Sequence, residues 1–231
     1  MKTIGLIGGM SWESSAEYYR LINTLIKERL GGFHSAKCVM VSVDFAEIEM
    51  LQRENRWAES AQLLIAAAQS LEHAGAELVL LCTNTMHKVA ADIQASVRIP
   101  FVHIVDATAE QIKVQGLTTI AVLGTRFTME EDFYVGRLTR RYGLRVLIPE
   151  TAERAMIHRV IYDELCLGEI KAVSRAHYLA VIDRLIDRGA QGVILGCTEI
   201  GLLLKADDCR VPLFDTMRLH AQAAVELALL V

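Results

Sequence analysis

The chain has 231 residues, 52% of them hydrophobic, with 24 Lys and Arg against 28 Asp and Glu for a formal net charge of -4. That length and apolar content can fill one large or two ordinary domains, and a weakly acidic chain with scattered cations has no basic stripe for nucleic acid. No apolar run approaches membrane-spanning length, and the five cysteines (Cys38, Cys82, Cys166, Cys197, Cys209) are odd in number with no Cys-x-x-Cys, which favours reduced thiols in the cytoplasm over disulfides or zinc.

The first apolar run, Ile4 to Met10, is short, follows a single Lys and leads into Trp12-Glu13, so it reads as a first strand and not as a signal segment. Strands are predicted near 3–8, 37–43, 77–82 and 101–104, then near 118–123, 144–148, 191–196 and 211–214. Helical patterns lie between them near 13–30, 57–74, 85–96, 106–115, 128–142, 151–188 with a break at Leu167-Gly168, and 198–204, with a last helix near 215–230. Alternating strands and helices predict an α/β fold with mainly parallel sheets flanked by helices.

Two stretches of the chain are copies of one another. Gly75-Ala76-Glu77-Leu78-Val79-Leu80-Leu81-Cys82-Thr83-Asn84-Thr85 aligns without a gap on Gly189-Ala190-Gln191-Gly192-Val193-Ile194-Leu195-Gly196-Cys197-Thr198-Glu199. Ile4-Gly5-Leu6-Ile7-Gly8-Gly9 recurs as Ile120-Ala121-Val122-Leu123-Gly124-Thr125, and Ile99-Pro100-Phe101-Val102 as Val211-Pro212-Leu213-Phe214. The apolar stripe Ala61, Leu64, Ile65, Ala68, Leu71 before Gly75 is matched by Tyr178, Val181, Ile182, Leu185, Ile186 before Gly189. A repeat of this length is a domain duplication, since solenoid periods are much shorter. It divides the chain into an N-terminal lobe of 1–98, to which 215–231 returns, and a C-terminal lobe of 99–214. In each half a polar turn follows the carboxyl end of a buried strand, the edge where open α/β sheets bind ligands. The copies disagree at one matched position, which is Thr83 in one half and Cys197 in the other.

Leu6-Ile7-Gly8-Gly9-Met10-Ser11, Thr83-Asn84-Thr85-Met86-His87 and Gly196-Cys197-Thr198-Glu199 resemble the three signature turns of the cofactor-independent aspartate/glutamate racemase family. The likeness runs from Lys2 to the last helix and is strongest to the L-aspartate/glutamate-specific or broad-specificity amino-acid racemases of enteric bacteria. It implies two pseudo-symmetric lobes with the active site in the cleft between them, a small amino-acid substrate, no cofactor, and a homodimer. It also implies two acid/base residues, one per lobe, on opposite sides of the substrate α-carbon.

Inverting an α-carbon needs a base on one face and an acid on the other, which a duplicated lobe can supply. Cys197, at a strand-to-helix junction, is the expected principal base, its thiolate favoured by backbone N–H groups and a helix N-terminus. Its bland alternative is an inert core thiol. Thr83 departs from the family's usual cysteine, and a hydroxyl is a poor proton abstractor that can still donate a proton directly or through water. Strand alternation gives Cys82 a packing role.

Met10 lies in a glycine turn that fits no phosphate motif and suits close backbone approach to a small ligand. The resemblance puts Asn84, Thr85, Thr125, Thr198 and Glu199 at the positions that hold the α-carboxylate and α-amine, with capping of the next helix as the alternative. It puts Gln52 and Arg53, after a short acidic helix, near the grip for a side-chain carboxylate, where plain surface charge is the alternative for Arg53. Cys166 stands where some aspartate racemases carry a lysine, which weakens the case for a strictly acidic substrate. The seven histidines show no ligand spacing, so no metal is expected, and His87 reads as a cap or packing residue. The expected activity is racemisation of L- and D-aspartate and glutamate. The alternatives are broad-specificity racemisation of neutral amino acids, one-cysteine decarboxylation or isomerisation of a dicarboxylate, and non-catalytic amino-acid binding.

Overall fold

The computed structural model describes residues 1–230; Val231, the last residue of the expected N-terminal lobe, lies outside the described residues. The chain forms two compact units, Met1–His103 with the residues from His220 onward, and Ile104–Leu219.

In the first unit, β1 (Ile4–Gly8), β2 (Cys38–Ser42), β3 (Leu78–Leu81) and β4 (Phe101–Val102) form a four-stranded parallel sheet of order β2-β1-β3-β4. Every residue of β1 and β3 is buried, as expected of central parallel strands covered on both faces. The connections run through α1 (Trp12–Leu30), α2 (Phe45–Arg53), α3 (Trp57–His73) and α4 (Ala90–Ser96). α1 starts where the Ser11 hydroxyl accepts from the Ser14 N–H, and it buries Tyr18, Ile22 and Ile26 at four-residue spacing. α3 buries Ala61, Leu64, Ala68 and Leu71, the inner stripe read from the sequence.

In the second unit, β5 (Thr119–Gly124), β6 (Arg145–Leu147), β7 (Val193–Gly196) and β8 (Leu213–Asp215) repeat that topology as β6-β5-β7-β8, again parallel throughout. Its helices are α5 (Ile104–Val114), α6 (Arg126–Glu130), α7 (Val135–Tyr142), α8 (Thr151–Asp163), α9 (Ala172–Asp187) and the short α10 (Ile200–Leu203). α9 buries Tyr178, Val181, Ile182 and Leu185, the counterpart of the α3 stripe. The last helix, α11 (Thr216–Leu229), begins in this unit, where the Thr216 hydroxyl donates to the Leu195 carbonyl at 2.8 Å. From His220 it belongs to the first unit, burying Ala221, Ala224, Val225 and Ala228.

Three predicted helices differ from those observed. The segment near 128–142 splits into α6 and α7 because its buried residues fall out of helical phase. A continuous helix would carry Met129 round to Asp132 or Phe133, yet Tyr134 is fully buried and the Asp132 side chain is 74% exposed, so the break resets the register. The segment near 85–96 opens as a 3-10 turn over Thr85–Val89 before α4. The predicted 198–204 helix contracts to the four residues of α10.

Candidate active site

The two central strands of each sheet are parallel neighbours, so their carboxyl ends lie side by side. In the first unit Ile7 pairs with Leu81, and the Cys82 N–H donates to the Ile7 carbonyl at 2.9 Å, which sets the Gly8–Ser11 turn beside Cys82–Thr85. In the second unit Gly124 pairs with Gly196, so Thr125 and Cys197 are the next residues beyond that pair. A Cβ on Gly196 would meet the Leu123 carbonyl oxygen at 2.8 Å, and one on Gly124 the Gly196 oxygen at 2.7 Å, so only bare backbone permits these strands to close up under the turn.

The close approach expected of Gly9 is made to the protein itself. Its φ is +97°, and a Cβ there would lie 2.1 Å from the Val43 carbonyl oxygen and 2.6 Å from the Val43 nitrogen. Packing against the chain after β2, together with a bond from the Gly9 N–H to the Ser15 hydroxyl at 2.8 Å, accounts for this glycine without a ligand. Met10 follows, buried in the same apolar cluster as Met86.

Thr83 is 9% exposed and Cys82 fully buried. Burial pushes the Cys82 thiol far up. The Thr83 carbonyl accepts from His87 Nδ1 at 2.8 Å, and since a carbonyl only accepts, that nitrogen carries a proton. Asn84 and Thr85 are buried on the same turn, and Asn84 makes no side-chain capping bond to the 3-10 turn it precedes. Gln52 and Arg53 are the last two residues of α2, where the sequence had set them after a helix. Gln52 is buried with Nε2 3.0 Å from Met86 Sδ, which ties it to the Thr83 turn, whereas the Arg53 side chain is 66% exposed and pairs with Glu49 one turn back at 3.1 Å.

In the second unit the four expected residues gather around β5 and β7. Thr125 caps α6, accepting from the Thr128 N–H at 3.3 Å, so the capping role is realised there. The Glu199 carboxylate folds back over its own turn, where Oε2 accepts from Cys197 Sγ at 2.9 Å and from the Thr198 hydroxyl at 2.8 Å. Cys197 is as little exposed as Thr83, and Glu199 is buried. The expected stabilisation of a Cys197 thiolate is reversed. Burial first, then the Glu199 charge and the nearby Cys166, push the thiol well above its ordinary value, and the Glu199 backbone N–H, acting in the expected direction, is outweighed. α10, at four residues, carries too little dipole to change this.

Three contacts of these turns escaped sequence reading. The His87 bond to Thr83 is an i to i+4 contact that a helical turn makes natural. Cys166 lies within electrostatic reach of Cys197, and Met86 partners Gln52; neither contact has a local signal.

Comparison with known proteins assigns the chain. The profile of the Asp/Glu/Hydantoin racemase family matches residues 7–224. A candidate Asp/Glu racemase from Yersinia pestis is 56% identical over the whole of both chains, with a TM-score of 0.93. An aspartate racemase homologue from Pyrococcus horikoshii is 36% identical over 99% of each chain, with a TM-score of 0.85. The broad-specificity amino-acid racemase RacX of Bacillus subtilis is 24% identical over 174 residues, covering 72% of this chain and 71% of its own. With nearly all of its length matched by one family, its two parallel sheets sharing the fold of these neighbours, the chain is an isomerase that belongs to the Asp/Glu/Hydantoin racemase family.

Proposed function

We propose that the protein racemises aspartate and glutamate without a cofactor, with Cys197 as the principal base and Thr83 as its unequal partner. The observation that carries this reading is the sheet-end equivalence. Two sheets of identical topology each end their third strand in a polar turn, and the matched residue is a thiol in one and a hydroxyl in the other. The reading requires these two residues to serve opposite faces of one α-carbon. Asn84, Thr85, Thr125, Thr198 and Glu199 would hold the α-carboxylate and α-amine, Gln52 with Arg53 the side chain, and the turn of Met10 would offer close backbone approach to the ligand.

Proton NMR of L- and D-amino acids in deuterium oxide, with no added cofactor, tests the proposal. The expected result is rapid α-deuterium uptake by L-aspartate or L-glutamate, slow initial uptake by the D forms, and a faster D direction in Thr83→Cys. Ligand binding with neither exchange nor inversion for any amino acid would reject racemisation, and carbon dioxide release would identify a decarboxylase instead.

A second reading, broad specificity towards neutral amino acids, is favoured by the exposed Arg53 already paired with Glu49 and by a cysteine at position 166. The same panel decides it by ranking homoserine and other neutral substrates against the acidic pair.

A further inference from the structure

We propose that Arg126 is a cation for the distal carboxylate of an acidic substrate, which makes it a specificity-determining residue for aspartate and glutamate. The inference rests on the racemase reading and adds to it a residue that the sequence did not single out. Arg53 and Arg126 each have a glutamate one helical turn away, Glu49 before the first and Glu130 after the second. Arg53 pairs with Glu49 at 3.1 Å, whereas Glu130 is taken by Arg154 of α8 at 2.6 Å. Arg137, Arg140 and Arg175 of the second unit are likewise matched to aspartates. Among the described residues, the Arg126 guanidinium has no carboxylate partner.

This cation is held in place without one. The Arg126 backbone N–H donates to His158 Nδ1 at 3.3 Å, and the guanidinium carbon lies 4.9 Å from the centre of the buried Phe127 ring, against which His158 packs edge-on. Since Nδ1 accepts, it carries no proton, and burial first, then the Arg126 charge, push the His158 ring below its ordinary value. His158 therefore adds no second cation beside Arg126 at neutral pH. A guanidinium resting on an aromatic face keeps its N–H edge for a ligand, and that edge matches a carboxylate through two parallel bonds.

Its place in the fold gives the cation a task. Arg126 follows Thr125, and Thr125 and Cys197 are the first residues beyond the Gly124–Gly196 pair, so cation and thiol belong to adjacent turns at one sheet end. Glu199 already puts a buried carboxylate in the second of these turns. An amino acid with a neutral side chain brings an α-carboxylate and an α-ammonium and no net charge. Aspartate or glutamate brings one further negative charge to a sheet end that already holds one, and a cation there offsets the excess for acidic substrates alone. Arg53 must release Glu49 to do the same, whereas Arg126 has no ion pair to break.

Initial rates of α-deuterium exchange for L-aspartate, L-glutamate and L-homoserine test the assignment in the wild type, Arg126→Ala, Arg126→Gln and Arg126→Lys. In the alanine and glutamine variants KM for the two acidic substrates should rise roughly ten- to a hundredfold, while KM for homoserine and kcat for all three stay within about threefold. Lysine, which keeps the charge and loses the paired donors, should recover part of the loss. Equal rises in KM for acidic and neutral substrates, an unchanged KM, or a loss confined to kcat would overturn the assignment. Circular dichroism and the urea midpoint establish that each variant folds, and glutamine, which keeps most of the stem over Phe127, serves where alanine does not.

Equilibrium binding separates this inference from the racemase reading. Calorimetry of L-aspartate and of L-homoserine needs no turnover, and only the acidic ligand should weaken in Arg126→Ala, by the same factor as KM. That selective loss in a protein that exchanges no amino acid would reject racemisation and keep Arg126 as the carboxylate contact. Equal weakening of both ligands, or a wild type that does not bind L-aspartate, would reject the role given to Arg126.

Discussion

Acidification from neutrality should remove about 3 kcal/mol of folding stability through His220 alone. His220 is fully buried on α11, with Nε2 2.7 Å from the Val102 carbonyl oxygen and Nδ1 2.9 Å from the Tyr18 hydroxyl. A carbonyl only accepts, so the ring proton sits on Nε2, and Nδ1 is the acceptor for the Tyr18 O–H. Burial pushes the ring from 6.5 down to about 4, and the bond to Val102, which favours the charged form, only partly offsets it. The folded chain therefore binds this proton more weakly than the unfolded chain. Its contribution to stability is fully present above the unfolded value and is lost as the pH falls from about 6.5 towards about 4. The gap is worth about 3 kcal/mol in full, of which about 2 kcal/mol is gone by about pH 5.

Urea unfolding of the wild type and of His220→Gln at about pH 7.5 and about pH 5 measures the effect. Glutamine can keep one donor for Val102 and one acceptor for Tyr18 but does not titrate. Other groups, including His158, which burial also pushes down, are present in both proteins and cancel in the comparison. The wild type should lose about 2 kcal/mol more than the variant between the two conditions. Equal losses would show that His220 titrates normally and that the neutral, doubly bonded ring is wrong.

Cys197→Ser should abolish α-deuterium exchange while ligand binding, by calorimetry, and the circular dichroism spectrum survive; more than a small residual rate would sink the base assignment. Arg53→Ala should raise the Michaelis constant for aspartate and glutamate by roughly ten- to a hundredfold and that for homoserine much less, if Arg53 leaves Glu49 to take the distal carboxylate. Equal changes for both classes would leave Arg53 as surface charge. Gly9→Ala must strain a positive φ and displace the Val43 backbone, so it should destabilise the fold by at least about 3 kcal/mol in urea unfolding. A stability within about 1 kcal/mol of wild type would show that the turn relaxes freely.

The internal repeat made the architecture legible, because two copies of the same strand and stripe must bury the same faces. β1 with β3, and β5 with β7, are the central pairs that its aligned segments imply. The repeat also singled out Thr83 and Cys197 as equivalent ends. What it left dark depends on side-chain direction and on contacts between distant segments. Spacing cannot say that Glu199 turns back onto Cys197, where its charge adds to burial in pushing the thiol up. Nor does the Gly-Gly sequence reveal that Val43, more than thirty positions later, fills the space beside Gly9. The break between α6 and α7 was visible in principle, since Met129 and Tyr134 are five residues apart and no single helical face accommodates both with Leu138.

If Cys197 and Thr83 serve the two faces of one α-carbon as proposed, that pairing cannot bias the position of equilibrium, because free enantiomers have equal free energy and a catalyst alters only the path between them. It follows that kcat/KM must be the same in the L and D directions, whatever residues stand at 83 and 197, and that any difference in kcat must be matched by one in KM. The asymmetry is therefore free to appear in two places. One is saturation, where the enantiomer that meets the weaker base turns over slowly and is bound with a lower KM. The other is the partition of the carbanion, which can regain a proton from Cys197 more readily than from the Thr83 side, so that exchange with retention outpaces inversion. Both consequences follow from one substituted side chain, a hydroxyl where the other copy has a thiol, and they separate a slow but genuine racemase from a protein whose second face has lost its function.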